Sequence, residues 1–328
     1  MKAIVISRFG GPEVLELRDV ATPAPGRGEV RVSVRATAVN RADLLQRAGA
    51  YPAPADAPKD IPGLEFAGEI DAVGDGVTGL AVGDRVMGLC GGGAYAGAVV
   101  VPARTVVAIP ASLSFAEAAA VPEAFITAWD AMVEQASLKA GETVLVHAVG
   151  SAVGLAALQI CRAVGARPIG TARTADKLTR ARAYGLDEDD GLLVPAGSFA
   201  AEVLRLTGER GADVVVELVG GAYVAEDLAC VAERGRIILV GMMAGNRTEL
   251  DLGRLLRKRA QLTGTMLRAR PLEEKITAVQ QLGRHVVPLL ARGTVRPVVD
   301  RTFPLARAGE AHAYMASNAS FGKIVLEV

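Results

Sequence analysis

The sequence predicts an α/β protein in which a doubly wound parallel sheet is joined to a mostly-β domain folded as a partly closed barrel. Three observations carry that reading. From Met1 to about Pro122, short apolar runs alternate with Gly and Pro, the signature of many short strands and tight turns. Beyond Thr143, strand-like runs alternate with helical stretches, as a parallel sheet with helical crossovers requires. At the junction, Gly141–Arg162 (GETVLVHAVGSAVGLAALQICR) reads as a buried strand running through a turn of small residues into a helix.

In chain order, strands are expected at Ala3–Ile6, Val14–Asp19, Glu29–Ala38, Glu65–Val73, Arg85–Leu89, Tyr95–Val101 and Val106–Ile109. Helical character begins near Ser114, and Thr127–Gln135 forms the connecting helix. Strands at Thr143–Val146, Arg167–Thr171, Val214–Leu218, Arg236–Val240 and Gln261–Thr265 are then separated by helices at Val153–Val164, Ala175–Tyr184, Ala200–Thr207 and Tyr223–Val231. A helix beginning near Leu250 carries Arg254, Arg257, Lys258 and Arg259, read as an exposed face rather than an RNA-binding patch. The tail Pro297–Val328 returns to strand at Phe303–Leu305 and Lys323–Glu327 and is expected to rejoin the barrel. Residues 1–122 with 266–328 then form one domain, and 123–265 the other.

The turn after Val144-Leu145-Val146 has the chemistry of a phosphate-binding loop. Gly150, Ser151 and Ala152 keep it nearly free of side chains, so backbone N–H groups can approach a pyrophosphate at the start of the next helix. Counted as G-x-G-x-x-G ending at Gly154, the window Val149–Gly154 has only its last glycine in place, so the motif gains weight from its strand–turn–helix context. The second strand, Arg167–Ala172, leads to Arg173, Thr174 and Lys177 with no carboxylate at its end. An acidic residue there would bind the adenosine ribose of NAD; two cations instead suit the 2′-phosphate of NADPH. The alternative for Arg173 and Lys177 is a pair of solvated charges at a helix start, and Asp176 is the residue that fits a phosphate pocket least.

Composition bounds the rest. With 328 residues, 51% hydrophobic and 22% charged, the chain can build two cores. Thirty-six basic and 36 acidic residues give no net charge, so neither a nucleic-acid partner nor an anionic membrane surface is expected. No apolar run reaches the roughly 18 residues of a membrane span. MKAIVISRFG reads as a strand rather than a signal peptide, so cytoplasmic residence is expected. Cys90, Cys161 and Cys230 are odd in number and far apart, which argues against a disulfide framework; Cys90, beside three glycines, is the one candidate for a reactive thiol. The apolar strand Gln261–Thr265, at the expected sheet edge, suggests pairing into a homodimer.

The whole chain resembles the zinc-independent quinone oxidoreductases, the zeta-crystallin group of the medium-chain dehydrogenase/reductase superfamily. The resemblance rests on Gly141, Glu142, Leu145, Gly154, Gln159 and Arg162 at signature spacing. With them stand AVNRADLLQRAGAYP, IPGLEFAGEIDAVGDGVTGLAVGDRV, PEAFITAWDAM and FGKIVLEV. It implies a GroES-like barrel domain and an NADPH-binding Rossmann domain. Implied cofactor contacts are Asn40, Thr127, Gly150, Ser151, Ala152, Val153, Thr171, Arg173, Thr174, Lys177, Val219, Gly241, Met242, Met243, Leu267 and Lys323. The chain departs from the family at Ala152, where glycine is usual, and cofactor affinity is the property this puts in doubt.

Where zinc-dependent relatives place a Cys, a His-Glu pair and a four-Cys lobe, this chain has Asn40-Arg41-Ala42-Asp43, Gly63-Leu64-Glu65 and no Cys cluster. His147, His285 and His312 do not stand at ligand spacing, so no metal site is expected. His147 reads as a hydrogen-bonded strand-end histidine, and Arg41 with Asp43 as a local ion pair. Carbonyl polarisation then falls to hydrogen bonds. Tyr51 offers a phenolic donor and Asn40 can orient the carboxamide or the substrate; the alternative for Tyr51 is a loop aromatic capping the barrel. The expected activity is NADPH-dependent reduction of a quinone without metal. The alternatives are an NADPH-dependent enoyl or alkenal reductase, sharing the Asn-Arg-x-Asp and Tyr-Pro neighbourhood, and a redox-silent, crystallin-like NADPH-binding protein.

Overall fold

A computed structural model describes residues 1–195 and 197–328. The chain divides into two compact units, Met1–Ile126 with Leu267–Val328, and Thr127–Met266.

The first unit opens with the antiparallel pair β1 (Lys2–Ile6) and β2 (Leu15–Asp19), followed by β3 (Glu29–Val39), whose alternating burial matches a sheet covered on one face. Helix α1 (Arg41–Arg47) then leads to β4 (Glu65–Val73), β5 (Arg85–Leu89), β6 (Ala98–Pro102) and β7 (Val106–Ala108), and α2 (Phe115–Ala119) is capped at Ser114 by a reciprocal bond with Glu117. The expected strand from Tyr95 begins only at Ala98. Tyr95 itself is fully buried, its N–H and C=O bonded to Pro62 and Ile4. Helix α3 (Pro122–Trp129) and the π-helical turn Asp130–Gln135 replace the single connecting helix.

The second unit holds β8 (Thr143–Val146), α4 (Ala152–Ala163), β9 (Arg167–Ala172), α5 (Ala175–Ala181), β10 (Gly191–Leu193), α6 (Ala200–Leu206), β11 (Ala212–Glu217), α7 (Tyr223–Cys230), β12 (Val231–Leu239), α8 (Leu252–Lys258) and β13 (Gln261–Gly264). Among the described residues these strands form one parallel sheet in the order β10-β9-β8-β11-β12-β13. The chain winds outward from β8 in both directions, so the strand order reverses between β8 and β11, where doubly wound sheets bind ligands. Leu145, Ile169, Val215 and Ile237 are each at most 1% exposed and share one core cluster.

The chain then returns to the first unit through α9 (Leu272–Gln281), α10 (Val287–Ala291), β14 (Val299–Pro304), α11 (Ala308–Ala316) and β15 (Lys323–Glu327). β15 runs antiparallel to β3 and completes the order β14-β15-β3-β4-β5-β7, with β6 also paired to β3. The α9–α10 segment buries Ile276, Val279, Leu282, Val286 and Leu290 at helical spacing, a signal the sequence reading passed over. α11 buries Ala308, Ala311, His312 and Met315, a face with little apolar contrast.

Candidate active site

In the second unit, β8 is buried at every position and is followed directly by the buried His147. Ala148 then adopts a φ of 48°, the left-handed conformation that glycine takes without strain. Ser151 caps α4, its Oγ accepting from Gly154 N at 3.1 Å. At Gly154 an added Cβ would stand 2.6 Å from Ala148 O and 2.8 Å from Val149 Cα, so only glycine lets α4 start this close to the strand end. The N–H groups of Ala152 and Val153, at the start of a helix, lack internal partners and suit an anion. Ala152 has an ordinary helical role as the first residue of α4, so the turn's conformational demand falls on Ala148.

The other expected cofactor residues of this unit differ in what they can offer. Arg173 and Thr174 are exposed just past β9, and Lys177 is half-buried on α5. Asp176, the residue least suited to a phosphate pocket, faces Arg180 at 3.7 Å. Thr171 is turned inward and bonds His147 Nδ1 at 2.9 Å. Val219 N–H donates to Glu217, as does Gly220 N–H at 2.9 Å. Gly241 and Thr127 are partly covered, and Met242 and Met243 lie exposed.

A cluster absent from the sequence reading lies beneath these turns. His147, Glu217 and Asp227 are fully buried, and one potential ligand atom from each lies within 4.8 Å of the others. His147 Nε2 meets Asp227 Oδ1 at 2.8 Å. Burial pushes the imidazole down to about 4, so neutral His147 donates from Nε2 and accepts Thr171's hydroxyl at Nδ1. Burial also raises both carboxyls, Glu217 to about 8. Glu217 Oε2 and Asp227 Oδ2 have no hydrogen-bond partner among the described residues, and a proton retained between the two carboxyls would satisfy both.

In the first unit, Asn40 precedes α1 at the end of β3 and Asp43 returns to it: Asn40 N donates to Asp43 Oδ2 at 2.8 Å. Asp43 is fully buried. It also accepts from Gly63 N at 3.1 Å and Tyr95 Oη at 3.2 Å, and burial lifts it to about 6. These bonds take the place of the expected loop ion pair, while Arg41 reaches Asn318. The Asn40 carboxamide donates from Nδ2 to Glu65 Oε1 at 2.9 Å and accepts from Lys323 Nζ at 2.5 Å. Lys323 also donates to Glu65 Oε1, and Glu123 N donates to Glu65 Oε2 at 2.8 Å. Glu65 and Lys323 are at most 3% exposed. Lys323, expected as a direct cofactor contact, is thus largely engaged within its own unit, and Leu267 is nearly covered.

Tyr51 is half-buried on its loop, and its hydroxyl makes no hydrogen bond to the described residues; burial raises its pKa. Arg268 stacks 5.3 Å from the Tyr51 ring centroid and donates to Gln46 Oε1 at 2.6 Å and Gly91 O at 2.8 Å, holding the loop from beneath. Arg268 carries no motif and was invisible until the fold joined distant segments; Glu65 was legible only as the residue standing in the place of a His-Glu pair, and its partner Lys323 was not.

The donor set of this unit does not suit zinc. Glu65, at the position of the zinc-dependent relatives' His-Glu pair, already has both oxygens engaged by Lys323, Asn40 and Glu123. Cys90 donates to Gly63 O at 3.4 Å and burial holds its thiol near about 12, far from a reactive thiolate. For a nicotinamide dinucleotide the fit is good: a turn of mostly small residues, a capped helix start and close packing at Gly154.

Residues 26–111 match the family described as alcohol dehydrogenase GroES-like domain, and 152–284 the one described as zinc-binding dehydrogenase. The quinone oxidoreductase of Pseudomonas aeruginosa is 36% identical over 99% of both chains, and that of Homo sapiens 31% over 99% of this chain and 97% of its own. The crystal structure of Escherichia coli quinone oxidoreductase complexed with NADPH superposes with a TM-score of 0.89 at 29% identity, covering 100% of each chain. No helix among the described residues is long and apolar enough to cross a membrane. A GroES-like barrel domain, a Rossmann sheet and full-length likeness to these enzymes place the chain in the quinone oxidoreductase family of the medium-chain dehydrogenase/reductase superfamily.

Proposed function

We propose that this nicotinamide-dependent oxidoreductase is a cytoplasmic NADPH:quinone reductase that works without a catalytic metal. The observation that carries the reading is the chemistry around Asn40. Glu65, in the place of the zinc-dependent relatives' His-Glu pair, is held by the buried Lys323, and Tyr51, whose hydroxyl has no hydrogen bond to the described residues, lies in the same unit. Bound NADPH supplies a hydride from its nicotinamide ring. The protein's part is to bind, orient and exclude water. Arg173 and Lys177 meet the 2′-phosphate with charge-assisted bonds, and the Ala152 and Val153 amides hold the pyrophosphate. Tyr51 donates to the quinone oxygen as negative charge grows there, and a quinone oxygen bears that charge with little further acid help.

One observation favours a second reading. An enoyl or alkenal reductase must protonate a carbanion-like carbon, and burial, aided by Glu65, raises Glu123 to about 7, which leaves it able to hold a proton near neutrality. Comparing NADPH oxidation by quinones and by enones separates the two readings; a redox-silent binding protein would consume NADPH with neither. We also propose a homodimer joined at β13, the sheet's edge strand, where Leu262 is 40% exposed. Light scattering at micromolar concentration tests this, and a monomer would rule it out.

A further inference from the structure

The direction in which Asn40's carboxamide points is set by charge. Its oxygen faces the Lys323 ammonium at 2.5 Å, and its nitrogen faces the Glu65 carboxylate at 2.9 Å and Ala38 O at 3.3 Å. Turning the amide over would set its oxygen against a carboxylate and its N–H group against an ammonium, both repulsive in a site where Glu65 is fully buried. With both N–H groups engaged, the carboxamide can meet a ligand only as an acceptor, through Oδ1.

We propose that Glu65, acting with Lys323, is a positioning residue that locks Asn40 as a hydrogen-bond acceptor. Asn40 then takes a donor group of the cofactor, a ribose hydroxyl or the nicotinamide carboxamide N–H, and does not donate to the quinone oxygen. This rests on the reading that Asn40 faces the nicotinamide end of the bound cofactor. It also divides the labour between the two residues, because Asn40 serves the cofactor as an acceptor and Tyr51 serves the substrate as a donor. Lys323 serves as the counter-charge that fixes the amide, which accounts for a nearly buried lysine at a position expected to touch the cofactor directly.

The test is a double-mutant cycle on the full-length protein, read as the NADPH dissociation constant by calorimetry with no electron acceptor present. Asn40→Ala removes one hydrogen bond and weakens NADPH by roughly 2- to 13-fold. Glu65→Gln, whose amide can face Asn40 either way, frees the Asn40 amide to turn and weakens NADPH by a factor in the same range. The double variant binds no worse than Asn40→Ala alone, because Glu65 acts only through Asn40. In turnover, the loss from Asn40→Ala falls on the cofactor KM more than on the quinone KM.

Additive losses in the cycle would make Glu65 a merely structural residue and overturn the proposal. So would an Asn40→Ala variant with unchanged NADPH affinity and a raised quinone KM. If Glu65→Gln does not fold, Glu65→Gln combined with Lys323→Met removes both buried charges together and carries the same cycle. Failure of the quinone assay in the wild-type protein would sink the function reading and leave these binding data intact.

Discussion

The aliphatic stem of Lys177 lies across the backbone of Gly150: a Cβ added there would stand 2.7 Å from Lys177 Cδ and 3.1 Å from its Cγ. The residue proposed to read the adenosine phosphate therefore also packs on the turn proposed to hold the pyrophosphate. Arg173, exposed past the end of β9, carries no such double duty. Arg173→Ala is expected to weaken NADPH about 10-fold or more while leaving NADH nearly unchanged, the loss of a charge-assisted bond. Lys177→Ala should weaken both, NADPH more. Equal losses of NADPH and NADH in the Arg173→Ala, Lys177→Ala double variant would reduce the two cations to surface charges.

Tyr51→Phe keeps the ring over Arg268 and removes only the hydroxyl. Losing one neutral hydrogen bond should lower kcat/KM for quinones by roughly 2- to 13-fold, with NADPH affinity unchanged. Unaltered quinone kinetics in a folded variant would make Tyr51 a packing residue of its loop.

Ala148 carries the strain in the turn proposed to hold the pyrophosphate. An L-residue in the left-handed region costs about 1–2 kcal/mol, and glycine's greater freedom in the unfolded chain returns roughly 0.5–1 kcal/mol of that. Ala148→Gly should therefore leave stability unchanged or raise it by up to about 1.5 kcal/mol in urea unfolding. Ala152→Gly, inside a helix, should raise nothing. A clear loss of stability in Ala148→Gly would show that the alanine methyl packs more usefully than its backbone strains.

The buried His147–Asp227–Glu217 cluster sets a pH dependence whose sign follows from its directions. Acids held protonated by the fold stabilise it at low pH, and that contribution is lost as pH rises through their raised values, Glu217's being about 8. His147, lowered to about 4, acts oppositely: its contribution is full above the unfolded value near 6.5 and is lost as pH falls. Between about pH 6.5 and 8 the carboxyl contributions change while that of His147 stays full, so the free energy of unfolding, and Tm with it, should fall as pH rises, by at most about 1.4 kcal/mol per pH unit for each proton. Asp227→Asn should flatten that limb relative to the wild-type protein. Equal slopes in the two proteins would show that the carboxyls do not share a retained proton.

What the sequence revealed and what it hid divide by distance along the chain. The strand, turn and helix from Thr143 to Ala163 are local, and their burial, cap and close packing at Gly154 follow from neighbouring residues. Glu65 finds Lys323 258 positions away, and Arg268 finds Gln46 222 away, so no spacing rule could connect them. The helix α11 was missed for another reason: an alanine-rich buried face, with His312 in it, shows almost no apolar periodicity. Local reading also placed the turn's difficulty at Ala152, because family spacing points there, whereas the backbone shows it at Ala148.

The most direct test of the central claim is steady-state oxidation of NADPH by the purified protein against a panel of quinones and a matched panel of enones, with NADH run in parallel. The account predicts saturable NADPH consumption with quinones, slower turnover with NADH, and little with enones. Tight NADPH binding with no quinone-dependent oxidation, or turnover confined to the enones, would contradict it.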